Sequence, residues 1–261
     1  MAEKLFYGWR LGATGFCFAV FGLGGVVLGF IYFPLLNLLI PKPERRVTLA
    51  RKTIRRTFAI FIDMMHHLGV LHYQIRGAER LRRQGLLVLA NHPSLIDTVF
   101  LMALIPDADC ILKADLQRNF FTRGPVAAAG YIFNDQGMEL VEACKASLEG
   151  GSNLIVFPEG TRTPADGTMK LKRGAANIAL RAGCNITPVT IRCEPRTLGK
   201  GDKWWLIPAR TAQFTILVGE DIEIGQFRDE ATGDAVAARR LTDFLLNYFT
   251  EEVQRHGRAE S

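Results

Sequence analysis

Between Arg10 and Lys42 the chain runs for 31 residues, LGATGFCFAVFGLGGVVLGFIYFPLLNLLIP, without one charged side chain. A helix of about 20 apolar residues is enough to cross a bilayer, so a run this long constrains the fold more than any other feature. A cleaved signal peptide is the competing reading, but its apolar part runs only about 7 to 15 residues and ends at a small-residue cleavage site. Pro34 and the glycines at 22, 24, 25 and 29 permit either one tilted, kinked span or two shorter helices dipping into one leaflet. Residues 1–45 therefore read as a membrane-anchoring segment.

Charge supports that reading. The formal excess of +6 suggests nucleic acid until it is mapped along the chain. Residues 1–60 hold nine lysines and arginines against Glu3 and Glu44, a balance of +7 that leaves −1 for everything after them. The excess adjoins the apolar run and has no interleaved aromatic platform, so no nucleic-acid partner is expected. Lys42, Arg45, Arg46, Arg51, Lys52, Arg55 and Arg56 follow the apolar run, against Lys4 and Arg10 before it. The positive-inside rule then puts the rest of the chain on the cytoplasmic side of the cell inner membrane or another cytoplasm-facing membrane. The same cluster suits anionic headgroups, at about 1 kcal/mol per basic side chain near the surface. The five cysteines form neither a CxxC pair nor a metal-ligand spacing, which suits reduced thiols in a cytoplasmic compartment and no metal.

Over 48–70 the apolar residues Ile54, Phe58, Phe61, Met65 and Leu68 recur at helical spacing, and residues 46–70 read as an amphipathic basic helix. His66 and His67 are adjacent, so on a helix they point about 100° apart and make a poor metal pair. From residue 71 short apolar runs alternate with helical stretches. Strands are expected at 72–76, 86–90, 110–114, 153–157, 186–191 and 213–218, with helices at 94–105, 137–149, 173–182 and 234–254. Such alternation predicts an α/β domain over 71–261, a mostly parallel sheet flanked by helices. Residues 194–210, EPRTLGKGDKWWLIPAR, read as a long loop whose Trp204 and Trp205 either rest at a membrane interface or pack over the sheet edge.

Two stretches carry chemistry. In LLVLANHPSLIDTVFL, Ser94 and Asp97 have the spacing of a helix capping box, which would make His92 a mere turn residue. The same turn lets Asp97 lean back toward a histidine just ahead of the helix. A carboxylate on one imidazole nitrogen leaves the other free to accept a proton. In NLIVFPEGTRTPADGTMKLKRG a second strand empties into Pro-Glu-Gly-Thr-Arg, and Lys172 and Arg173 precede a helix. Backbone amides and cations there suit an anionic group or an oxyanion. Loops at the ends of parallel strands converge on one crevice.

These stretches resemble the lysophospholipid or 1-acylglycerol-3-phosphate acyltransferase family. NHPSLID (91–97) matches its N-H-x4-D block and FPEGTR (157–162) its F-P-E-G-T-R block, about 60 residues apart and in the right order. Weaker matches are Lys113, GYIF (130–133) and ITPVTI (186–191). The resemblance implies a glycerolipid acyltransferase-like fold. It also implies acyl transfer from acyl-CoA or acyl-carrier protein, as co-substrate with no further cofactor, to a hydroxyl of a lysophospholipid-like acceptor. His92 would be the general base and Asp97 its orienting partner, while Glu159, Gly160, Thr161, Arg162 and Lys172 would bind substrate. No G-x-S-x-G elbow is present and no cysteine lies in either block, in keeping with direct transfer. The family's second block usually ends in an arginine associated with the acceptor phosphate. Here GYIF continues into Asn134, Asp135 and Gln136, which favours a zwitterionic, amine-bearing or uncharged acceptor. Two rival readings are a lipid hydrolase or thioesterase using the same dyad on water, and a non-catalytic membrane-surface protein.

Overall fold

The computed structural model describes residues 2–117, 119–120, 122–134, 139–228 and 233–258. Asp135 and Gln136, singled out above, lie outside the described residues, as do the first two positions of the helix expected at 137–149. The apolar N-terminal stretch is one helical rod. Helix α1 (Ala2–Val27) passes through a π turn (Leu28–Tyr32) into α2 (Phe33–Leu39). Pro34 has no N–H to donate and its ring crowds the carbonyl four residues back, so the widened turn falls just ahead of it. The rod turns at Ile40–Lys42 and doubles back as α3 (Pro43–His67), whose first residue is a proline, the position a helix best tolerates one.

The rod does not stand clear of the domain. The Trp9 Nε1–H donates to the Leu68 carbonyl (3.0 Å), Phe21 packs on Phe58 and Phe61, and the Tyr32 hydroxyl bonds Thr53 Oγ1 (2.9 Å). Farther along, Gly29 faces Gly124 so closely that a Cβ on Gly124 would sit 2.4 Å from the Gly29 Cα. Contact therefore runs from Trp9 to Phe33, while Leu5, Phe16, Val20, Leu23, Leu35 and Leu38 face outward and are exposed.

The sheet has seven strands: β1 (Leu71–Arg76), β2 (Leu87–Ala90), β3 (Ala108–Leu112), β4 (Ile132–Phe133), β5 (Asn153–Val156), β6 (Ile186–Glu194) and β7 (Ala212–Val218). Their spatial order is β1-β7-β6-β2-β5-β3-β4, with every pairing parallel except β6 with β7. Alternation splits the central strands between two cores. Val88, Ala90 and Ile155 face the rod, α3, α4 (Ile96–Leu104) and α5 (Arg123–Ala129). Leu87, Leu89, Leu154 and Val156 face α6 (Glu139–Glu149), α7 (Gly174–Ala182) and α8 (Asp234–Arg258). The expected architecture is thus the observed one.

The differences have local causes. Strand β3 starts two residues before its expected place because Asp109, which reads as a turn residue, is neutralised inside the strand by Arg51 of α3 (2.9 Å) and by the Ser147 hydroxyl (2.7 Å). Arg51 also donates to the Ala129 carbonyl (3.0 Å), to Ser152 (2.8 Å) and to Asp107 (3.3 Å). It therefore braces α3 to the sheet and is withdrawn from the basic cluster, expected to meet lipid headgroups, in which its sequence position places it. Helix α5 was hidden by its Gly-Pro pair: Pro125 is tolerated in the first turn, and Gly124 is what lets the rod approach.

Truncating one partner of a buried ion pair strands the other charge, which costs about 3–5 kcal/mol. Arg51→Ala leaves Asp109 buried without its cation, and the variant in detergent is expected to unfold well below the parent temperature. Lys52→Ala, on the exposed side of the same helix, is expected to shift it little.

Candidate active site

Strands β2 and β5 are parallel neighbours, so the segments leaving their C-terminal ends lie side by side. Asn91 extends β2 by one pseudo-peptide. Its side-chain amide donates to the Ile191 carbonyl (2.8 Å) and its side-chain oxygen accepts from the Ile191 N–H (2.7 Å), which anchors the exit to β6. His92 follows and Asp97 lies in the first turn of α4.

The His92 Nδ1 and the Asp97 Oδ2 are 2.9 Å apart, and the same oxygen accepts from the Ser94 N–H at 2.6 Å. The Ser94 hydroxyl in turn accepts from the Ile96 N–H (3.4 Å). Capping and orienting are therefore done by one carboxylate, and with Nδ1–H donating to it, His92 presents Nε2 as a lone-pair nitrogen. The Asp97 side chain is fully buried, whereas that of His92 remains 13% exposed at the crevice. The imidazole stacks on Phe157 from the β5 exit, with centroids 4.0 Å apart and planes at 20°.

The main chain of His92 is gripped as firmly as its ring. Its N–H donates to Glu159 Oε1 (2.9 Å), and its carbonyl accepts from the Thr163 N–H (2.7 Å). The Thr163 hydroxyl donates to the same Glu159 oxygen (2.9 Å). Glu159, expected to contact substrate, is only 4% exposed and clamps the two loops together. Gly160 closes a turn through its N–H onto the Phe157 carbonyl (2.9 Å) with φ of 65°, and a Cβ there would collide with the Lys172 side chain at 2.9–3.1 Å. Thr161 is half-buried and Lys172 exposed beside that turn. The Arg162 Nη1 donates to the Leu198 and Gly199 carbonyls (2.8 and 2.7 Å), tying the motif to the 194–210 loop. The structure thus brings His92, Asp97, Glu159 and Gly160 into one cluster with Lys172 at its edge, and turns Arg162 toward the neighbouring loop. Sequence reasoning passed over Phe157 and Thr163, which lie in or beside the second motif. It also passed over Asn91, inside the first, and over Arg196, whose guanidinium donates to the Thr163 and Ala165 carbonyls (2.7 and 2.9 Å).

Burial pushes Asp97 up to about 6, against the opposing pull of His92 and the Ser94 N–H. Burial also raises Glu159, opposed by the His92 N–H and the Thr163 hydroxyl. Asp97 Oδ1 and Glu159 Oε2 are buried without a hydrogen-bond partner among the described residues. Two carboxylates thus flank an imidazole that becomes positive when it accepts a proton. Among the described residues no group of His, Cys, Asp and Glu has the arrangement of a metal site. Cys110, Cys144 and Cys193 are buried thiols pushed up to about 12, which makes them poor nucleophiles.

Residues 72–192 match the family model described as Acyltransferase. The chain is 27% identical over 138 residues to a 1-acyl-sn-glycerol-3-phosphate acyltransferase of Pseudomonas aeruginosa, covering 51% of this chain and 53% of that one. It is 31% identical over 119 residues to the protein of the same name from Helicobacter pylori, covering 40% and 47%. The aligned part thus spans about half the length of these relatives. A lyso-ornithine lipid O-acyltransferase of Pseudomonas aeruginosa is 28% identical over 173 residues, 65% of each chain. In fold, the chain is similar to the crystal structure of the 1-acyl-sn-glycerophosphate (LPA) acyltransferase from Thermotoga maritima. The TM-score is 0.70 over 97% of this chain and 95% of that one, at 20% identity.

Asp97 carries a stability cost that can be read out. Its folded-state value lies above the ordinary 3.8, so the cost is absent well below about pH 4, grows as pH rises, and is complete above about pH 6. The displacement from 3.8 to about 6 corresponds to about 3 kcal/mol. Asp97→Asn keeps the shape and an acceptor for Ser94, so it is expected to melt above the parent at about pH 7 and to lose that advantage near about pH 4.

Proposed function

We propose that this chain, whose residues 72–192 match the family model described as Acyltransferase, is a membrane-bound O-acyltransferase of the lysophospholipid and 1-acylglycerol-3-phosphate acyltransferase kind, with His92 as general base oriented by Asp97. The observation that carries this reading is the 2.9 Å contact between Nδ1 and a fully buried carboxylate, which leaves Nε2 open at the crevice where two strand ends meet.

The steps balance without a covalent enzyme intermediate. Nε2 takes the proton of the acceptor hydroxyl as its oxygen attacks the thioester carbonyl of acyl-CoA or acyl-carrier protein. The tetrahedral intermediate collapses, the carbon–sulfur bond breaks, and the imidazolium returns the proton to the departing thiolate. Asp97 holds the tautomer, and its charge, with that of Glu159, faces the transient imidazolium. Glu159 and Thr163 act here as positioning residues for His92. Gly160, Thr161 and Lys172 remain for the acceptor headgroup, with Arg162 acting through the loop it holds.

A lyso-lipid acceptor is the substrate class, and within it an amine-bearing headgroup is favoured. The second block lacks its usual arginine, and one relative bears the name of a lyso-ornithine lipid enzyme. The bilayer is the second partner. The rod is long and apolar enough to cross a membrane, yet its inner side is packed against the domain from Trp9 to Phe33. Spanning would drag the domain into hydrocarbon. The geometry instead favours a rod lying in the plane of one leaflet, its outer face in the acyl boundary and Lys42, Arg45 and Lys52 near the headgroups. A cytoplasm-facing leaflet agrees with five free cysteines.

Purified protein is to be given both donor classes with a panel of phosphate-bearing and amine-bearing lyso-lipids, and products read by mass spectrometry. His92→Ala is expected to lower transfer by about 10²-fold or more with the fold intact, and near-parental turnover would remove the assignment. Free fatty acid released at the same rate with or without acceptor would identify a hydrolase instead.

A further inference from the structure

The 194–210 loop, which the sequence allows at a membrane interface or over the sheet edge, has a held base and an exposed tip. Both stems are pinned. At one end Leu198 adopts φ of 53°, and its carbonyl accepts from Arg162 Nη1 (2.8 Å) and from the Leu95 N–H (3.1 Å). At the other, the Pro208 and Ala209 carbonyls accept from Arg10 of α1 (2.9 and 2.6 Å), whose guanidinium is buried. The tip between them is open: Trp204, Trp205 and Leu206 are 42%, 46% and 60% exposed. One edge of Trp204 rests on Gly15 and Phe18 of the rod, beside the exposed Phe16 and Val20, and the Lys203 ammonium sits over the Trp205 ring at 5.2 Å.

We propose that this tip is a second membrane contact, in which Trp204, Trp205 and Leu206 enter the headgroup boundary of the leaflet that receives the outer face of α1. The proposal rests on the bilayer reading above and adds a surface to it. Three observations select lipid as the occupant. The tip adjoins the exposed apolar strip of the rod. Its aromatic pair is the residue type that settles at membrane–water interfaces. Exposed Lys200, Lys203 and Arg210 surround it where phosphate headgroups would lie. Pinned stems give the contact a consequence. The loop is bonded to Arg162 and to Leu95, two residues before Asp97, so burying the tip fixes the height of His92 above the lipid surface.

The chain has three tryptophans, Trp9, Trp204 and Trp205, so the full-length W9F variant reports on the tip alone. Mixed with vesicles of phosphatidylcholine and phosphatidylglycerol, its emission is expected to shift to the blue. It should fall by about twofold or more when the phosphatidylcholine is brominated near the headgroup, and less when bromine sits deep. Subtracting the spectrum of W204F/W205F from that of the parent gives the same quantity without touching Trp9. Emission indifferent to brominated lipid while the protein sediments with vesicles would overturn the proposal and leave the rod as the membrane contact. Failure to sediment would overturn both the tip and the bilayer reading. Product formation, scored separately with His92→Ala as control, tells either failure from a failure of the acyl-transfer reading.

Discussion

The site hangs on one oxygen. Asp97 Oδ2 accepts both the Ser94 N–H that starts α4 and the contact with the His92 ring. A lone carboxylate buried to zero exposure is too costly to keep ionised, so both donors must be in place for the charge to persist. The helix start and the imidazole orientation therefore stand or fall together. That shared dependence fixes the distance between a turn residue and a helix residue, and hence the five-residue spacing of the first motif.

The loops around this pair are held by arginines bonded to peptide carbonyls. Segments without regular structure still have backbone oxygens to satisfy, and a guanidinium with five donors can take several at once. Arg162 takes two from the 194–210 loop, Arg196 reaches back to the loop after the second motif, and Arg10 holds the far stem to the apolar rod. Glu159 does the corresponding work for donors, accepting a backbone N–H and a hydroxyl. The charged residues of FPEGTR thus face inward or sideways, and the turn at Gly160, with Lys172 beside it, is the part of the motif left exposed.

The central strands were legible because β2 and β5 are buried on both faces and read as nearly unbroken apolar runs, and six of the seven strands were found from short apolar runs. Strand β4, only two residues long, gives no period to detect. Position along β3 was misread because Asp109 is explained by distant partners, Arg51 lying 58 positions earlier in the chain and Ser147 38 positions later. The dyad was legible for a similar reason: its partners sit within one turn, where spacing implies geometry. The hydrogen-bond partners of Glu159 and Arg162 were not, since each lies on a loop brought alongside by the fold, and no local pattern encodes that neighbour.

The apolar N-terminal segment shows how packing can overrule composition. By length and apolarity alone the rod qualifies as a span, and the positive-inside rule then assigns a side. Yet that rule governs segments that are threaded across, and a helix seamed to its own domain from Trp9 to Phe33 has no length left to thread. For such a helix, one face supplies core and the other is left exposed and apolar. Arg10 makes the point most sharply. Its sequence position reads as the outer flank of a span, but its side chain holds the loop that leads to Arg162 and to the start of α4. The rod and the crevice at His92 are thereby joined through one loop held at both ends. On the proposed reading, a lyso-lipid could then present its hydroxyl to His92 with its acyl chain still in the leaflet, because the surface that binds the lipid and the edge that carries the base are set by the same contacts.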